Sequence, residues 1–131
     1  MFADSSALVS ILVEEPDSRL LTGKLDAAAR VLVSGLVYYE TATGVARANK
    51  IALESSRELV DRLLTEARAE FIPIDAAIAS TALEAFARYG KGRHRAALNM
   101  GDCFSYACAK VHRVPLLCKG RNFKLTDINL A

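Results

Sequence analysis

Four short, almost wholly apolar runs alternate along this chain with stretches of helical periodicity, and that alternation constrains the fold more than any other feature. The runs are Phe2-Ala3, Val31-Leu32-Val33, Phe71-Ile72-Pro73-Ile74 and Pro115-Leu116-Leu117-Cys118. Segments so short and so apolar suit strands buried on both faces, the condition of a parallel sheet covered by helices. Between them, Asp4-Ser5-Ser6 predicts a helix N-cap, with Leu8, Leu12 and Val13 supplying the apolar face. Ser34-Gly35 predicts the start of a helix reaching about Arg47, and a second is expected from about Ile51 to Glu70, with Leu53, Leu59, Leu63 and Leu64 on broadly one side. Asp75 is expected to cap an alanine-rich helix to about Tyr89, and a glycine-punctuated loop follows over 90–100. Gly101-Asp102 then predicts a helix to about His112, Gly120 to Leu125 a turn, and Asp127 to Leu130 a short final strand. No repeat or low-complexity tract interrupts this order.

At 131 residues the chain is expected to form one domain, residues 1–131. Its 52% hydrophobic and 24% charged residues exclude intrinsic disorder. No apolar run approaches the ~18 residues of a membrane span. Met1-Phe2-Ala3-Asp4 has no basic stretch and meets a carboxylate at once, unlike a secretory signal. The three cysteines, Cys103, Cys108 and Cys118, form no Cys-x-x-Cys pair and read as small buried residues of a reducing compartment. A soluble, cytoplasmic protein is expected.

Net charge is only +2, but it is unevenly spread. Residues 1–87 carry 8 Lys and Arg against 13 Asp and Glu, which is −5, whereas residues 88–131 carry 9 against 2, which is +7. A basic third on a compact domain is the footprint of a phosphate-backbone binder. An unevenly charged solvated surface fits the same numbers.

In doubly wound sheets ligands bind outside the carboxyl ends of the strands, so the acids placed there are the residues to examine. Asp4 ends the first run, Glu40 lies one to two turns into the following helix, and Asp102 opens a later one. Each has a plain structural reading: Asp4 and Asp102 as helix caps, Glu40 as an edge residue reaching water. Together they put three acids at the ends or first turns of three strand–helix units. Two carboxylates ~4 Å apart repel by roughly 4 kcal/mol at an effective dielectric of about 20. Converging acids therefore need a cation or raised pKa values, and an all-oxygen site suits Mg²⁺ or Mn²⁺. Zinc is disfavoured, because His94 and His112 lack ligand spacing and Cys103 and Cys108 stand five apart, off one helical face.

Four stretches carry a family resemblance. Met1-Phe2-Ala3-Asp4-Ser5-Ser6-Ala7-Leu8-Val9 resembles the opening of PIN-domain nucleases, in particular the VapC-type toxins of toxin–antitoxin pairs. Val37-Tyr38-Tyr39-Glu40-Thr41 is similar to the family's second acidic motif, and Asn99-Met100-Gly101-Asp102-Cys103-Phe104-Ser105-Tyr106-Ala107 to its third. Leu116 to Ile128 resembles its closing Gly-x-Asp-Phe-x-x-Thr-Asp stretch, except that Asn122 stands where the family usually has Asp. The resemblance implies a three-layer α/β/α PIN-like domain with a short, mostly parallel central sheet. It implies a metal-dependent endoribonuclease with catalytic and metal-binding Asp4, Glu40 and Asp102 around Mg²⁺ or Mn²⁺. Ser6 would orient a carboxylate or a water beside the first Asp, and Asn122 would occupy the place of a fourth acid in the outer shell. A homodimer and a cognate VapB-like antitoxin are implied as partners, with RNA as substrate.

Arg93 and Arg95, with Lys91 and His94, lie in the loop before the Asp102 helix, while Lys119, Arg121 and Lys124 flank the last motif. Arg93, Arg95, Lys119 and Arg121 are the candidate phosphate contacts, which position RNA without selecting sequence; Lys124 reads as a solubility residue. Tyr38, Tyr39 and Phe104 suit core or dimer interface better than base stacking. Asn122 alone supports a second function, a catalytically attenuated PIN fold that binds RNA or a partner. A phosphatase is disfavoured, since no Asp-x-Asp follows the first strand.

Overall fold

A computed structural model describes residues 1–131. Strand β1 (Phe2–Ala3) leads through α1 (Ser5–Leu12) and α2 (Ser18–Ala27) to β2 (Leu32–Ser34). From there α3 (Gly35–Asn49) and α4 (Leu53–Glu66) lead to β3 (Glu70–Ile72), and α5 (Ala76–Tyr89) and α6 (Met100–Val111) lead to β4 (Leu116–Leu117). All strand pairs are parallel, in the order β3-β2-β1-β4. The chain thus winds outward from β1 to β3, then returns to the far side of β1. Right-handed crossovers put α1 to α4 on one face of such a sheet and α5 and α6 on the other. The contacts agree, α1 packing on α2 and α3, α3 on α4, and α5 on α6. Phe2, Leu32, Val33, Leu116 and Leu117 are buried to within about 1%, as strands covered on both faces require.

The reversal of direction falls between β1 and β4, which is the topological switch point of the sheet. Asp4 directly follows β1 there, and its backbone N–H bonds to the carbonyl of Leu117 at 2.8 Å. The N-terminus of α6 reaches the same edge, because α6 runs back toward the start of β4.

Several elements differ from expectation. Residues 14–30 carry an unanticipated helix, α2, that buries only Leu21 and Leu25. The helix expected over 51–70 is shorter, and its buried stripe is Ser56, Val60 and Leu64, while Leu53 is 58% exposed. Strand β3 begins at Glu70 and ends before Pro73, which has no N–H to give a ladder. As an edge strand it leaves Phe71 half exposed, with Tyr38 edge-on at 5.9 Å. The expected final strand shrinks to one parallel bridge, Leu116 to Leu130. The expected turn over 120–125 contains a short 3₁₀ segment, Asn122–Leu125. Finally, Asp102 follows no strand. Its helix comes after α5 through the loop 90–99, so only two of the three acids belong to strand–helix units.

Candidate active site

Asp4 is 1% exposed. It is the N-cap of α1, with Oδ2 accepting from the Ser6 N–H at 3.0 Å and from Ser6 Oγ at 2.5 Å. Within the polar triplet it is thus Asp4 that caps the helix. Its Oδ1 accepts from Ser105 Oγ of α6 at 2.6 Å. Ser6 is oriented in turn by the backbone N–H of Lys119, which donates to its Oγ at 3.0 Å.

Glu40 is half-buried in the second turn of α3, which Ser34 caps through a bond from the Val37 N–H at 3.2 Å. Ser5 Oγ donates to Glu40 Oε2 at 2.8 Å. The other carboxylate oxygen lies over Gly101: a Cβ at that position would sit 2.1 Å from Oε1. Glycine is thus what lets α3 set its carboxylate against the first turn of α6. Asp102 stands one residue further on, in a capping box with Asn99: the Asn99 N–H donates to Asp102 Oδ2 at 3.1 Å and the Asp102 N–H to Asn99 Oδ1 at 2.8 Å.

Asp4 bears on both of the other carboxylates. Burial, then the charges of Asp4 and Glu40, push Asp102 up to about 6, against the opposing backbone bond from Asn99. Burial raises Glu40 as well, with Asp4 adding to it and the Ser5 hydroxyl opposing. No lysine, arginine or histidine pairs with any of the three; every ion pair in the molecule lies elsewhere. Their donors are hydroxyls and backbone N–H groups, so the negative charge is solvated by dipoles and not neutralised. No three acidic, histidine or cysteine side chains close on a single point as a ready-made coordination shell. The donor chemistry, oxygen throughout and short of positive charge, nevertheless fits a hard divalent cation.

The remaining candidates divide. Arg93, Arg95 and Arg121 are exposed and free of carboxylate partners, Arg93 resting over the Phe86 ring at 5.1 Å. The Lys119 ammonium is instead held by Glu15 and, at 3.5 Å, by Asp17. That pair ties the α1–α2 connection to the end of β4. Asn122 is exposed and no hydrogen bond joins it to the acids. Asp127 is engaged by other groups. It accepts from Tyr106 at 2.6 Å and Lys110 at 3.0 Å, and these hold it down to about 2.

Ser5, Gly101 and Ser105 escape sequence reasoning as site residues, because each acts on a partner at least 35 positions away. Cys118 joins them. Burial, with Asp4 and Asp102 nearby, pushes its thiol up to about 12, so it stays protonated beside the acids. A Ser one turn after Asp102, flanked by the apolar Phe104 and Ala107, was the available signal for Ser105.

Fold and site together define a doubly wound parallel α/β protein with an acidic site at its switch point. The PIN domain family model matches residues 1–129. Ribonuclease VapC of Mycolicibacterium smegmatis is 47% identical, over 98% of this chain and 97% of that protein. VapBC2 from Rickettsia felis, solved with a DNA fragment from its promoter, superposes with a TM-score of 0.76 at 19% identity, covering 99% of this chain and 96% of that one. A chain of a toxin-antitoxin complex from Klebsiella pneumoniae gives a TM-score of 0.71 at 18% identity, covering 99% and 95%. The chain belongs to the PIN-domain family, among its VapC-type ribonucleases.

Proposed function

We propose that this protein is a metal-dependent endoribonuclease, the toxin of a toxin–antitoxin pair, with Asp4, Glu40 and Asp102 holding Mg²⁺ or Mn²⁺. The observation that carries the reading is the set of three carboxylates gathered near the switch point, held by hydroxyl and backbone donors and none with a cationic partner. Asp4 is the most firmly held, by three donors. Glu40 and Asp102, partly exposed, would supply the remaining ligand oxygens. When bound, the cation supplies Lewis-acid charge at the phosphate and activates water as nucleophile.

The chain's own residues do the rest. Ser6 and Ser105 hold Asp4, Ser5 holds Glu40, and Asn99 holds Asp102, so the oxygens are aimed before substrate arrives. Glu40, raised by burial, is suited to orient the attacking water and accept its proton. Water adds to phosphorus, one P–O ester bond breaks, and the departing sugar oxygen takes up a proton. Arg93, Arg95 and Arg121 contact the RNA backbone around the site. Lys119 is assigned to the ion pair with Glu15 and Asp17.

The attenuated-nuclease reading rests on Asn122 alone, which is exposed and joined to none of the three acids by a hydrogen bond. A cognate antitoxin is the proposed protein partner, in keeping with the Klebsiella pneumoniae complex that shares this fold. The exposed apolar side chains Leu83 and Phe86 of α5, facing Met100 and Phe104 of α6, are the proposed homodimer surface. Metal removal tests the central reading. Purified protein should cleave single-stranded RNA with Mg²⁺ or Mn²⁺, lose cleavage in EDTA and regain it when either ion is restored. Undiminished cleavage in EDTA would overturn it.

A further inference from the structure

Ser105 has a choice that several helical threonines of this protein resolve differently, whereas Ser10 and Ser56, like Ser105, bond outside their own helix. Thr41, Thr65 and Thr81 each turn back onto the carbonyl four residues earlier, at 2.7 to 3.0 Å. That local bond is the default for a hydroxyl inside a helix. Ser105 leaves the equivalent carbonyl of Gly101 and instead donates across to Asp4 Oδ1 at 2.6 Å, a partner 101 positions away. Both groups are almost completely buried, Ser105 at 2% and Asp4 at 1%.

The bond does two things. A buried carboxylate without a cationic partner must be solvated by donors, and Ser105 is the only one reaching Oδ1, since Ser6 serves Oδ2 through both its N–H and its hydroxyl. A carboxylate offers about four lone-pair sites; these three bonds leave about one for a ligand, and they stop the group from rotating. Ser105 also lies one turn after Asp102 on α6. A single short bond therefore fixes the carboxylate of β1's end relative to the helix that carries the other Asp.

We propose that Ser105 is a positioning residue for divalent-cation binding, holding Asp4 in the rotation and offset from Asp102 that a shared ion requires. The inference rests on the metal-site reading above. Outer-shell partners of metal ligands are typically worth ~10–100-fold in metal affinity or activity, and a loss in that range is expected here.

The test is Mn²⁺ binding by isothermal titration calorimetry on RNA-free protein, comparing wild type, Ser105→Ala and Ser105→Cys. Ser105→Ala should bind Mn²⁺ roughly 10-fold or more weakly, and Ser105→Cys, a near-equal volume with a weak donor, should fall between. In cleavage assays the Mg²⁺ concentration for half-maximal rate should rise by the same factor, with much of kcat recovered at saturating metal. A purely structural role would lower the melting temperature and leave the Mn²⁺ dissociation constant alone. Wild-type Mn²⁺ affinity in folded Ser105→Ala overturns the proposal, as does wild-type affinity in Ser105→Cys if the alanine variant does not fold. Absence of Mn²⁺ binding by wild type would instead overturn the metal-site reading itself, so the two failures are distinct.

Discussion

Asp102 is the acid on which the crowding of charge falls most visibly. Burial, with Asp4 and Glu40 close by, pushes it up to about 6, whereas an unfolded Asp titrates near 3.9. The folded protein therefore holds a proton in that interval which the unfolded chain has released. Metal-free protein should gain stability as pH falls from about 7 toward about 4, and lose it as pH rises again. A melting series in EDTA would show this, and Asp102→Asn should make it shallower, leaving the smaller contribution of Glu40, also raised by burial; a wild-type curve already flat over that range would count against a buried, raised Asp102. The same proton competes with a cation, so Mn²⁺ affinity should climb up to about pH 6 and level off above it.

Glycine at position 101 joins two elements. The Glu40 carboxylate of α3 rests where a Cβ would be, 2.1 Å away. Alanine is the better helix former by up to ~1 kcal/mol, which offsets part of the clash in the folding balance. Gly101→Ala should therefore fold with a melting temperature near wild type while cleavage falls by roughly an order of magnitude, because Glu40 is pushed off the site. Gly23→Ala, in α2 with nothing within 4 Å of its would-be Cβ, is the control and should leave cleavage unchanged. Equal cleavage by Gly101→Ala and wild type would place Glu40 outside the reaction. Interactions of this kind mark the limit of what could be read along the chain. The apolar runs, the alternation with helices and the N-cap signals at Ser34 and Asp75 were legible because they are local. Helix α2 was not, since two buried leucines in ten residues give a weak periodic signal. Asp4, Glu40 and Asp102 were legible as acids near helix starts, but not what holds them: Ser5 to Glu40, Gly101 under Glu40 and Ser105 to Asp4 are all tertiary. Lys119 looked like a free cation for the same reason, its partners Glu15 and Asp17 lying more than 100 positions earlier.

Over the whole molecule, charge is separated in a way that serves an RNA-cleaving site. The +7 of residues 88–131 includes Arg93 and Arg95 on the loop that leads into α6, and Arg121 just beyond β4. On the proposed reading these arginines are the cations for the phosphate backbone that leads to the acidic site. Replacing Arg93 and Arg95 by Gln should weaken RNA binding across sequences and lower the log–log salt slope by about 0.7 for each single-strand phosphate that is no longer neutralised. An unaltered slope would return both arginines to ordinary solvated surface. The account depends most on Asp4, the buried anchor of the acidic site, and one side-by-side measurement reaches it directly. Cleavage of single-stranded RNA is followed for wild type and Asp4→Asn across a Mg²⁺ titration, with folding of both checked by circular dichroism. The account predicts saturable, Mg²⁺-dependent cleavage by wild type and none at any Mg²⁺ concentration by a folded Asp4→Asn; equal cleavage by the two would contradict it.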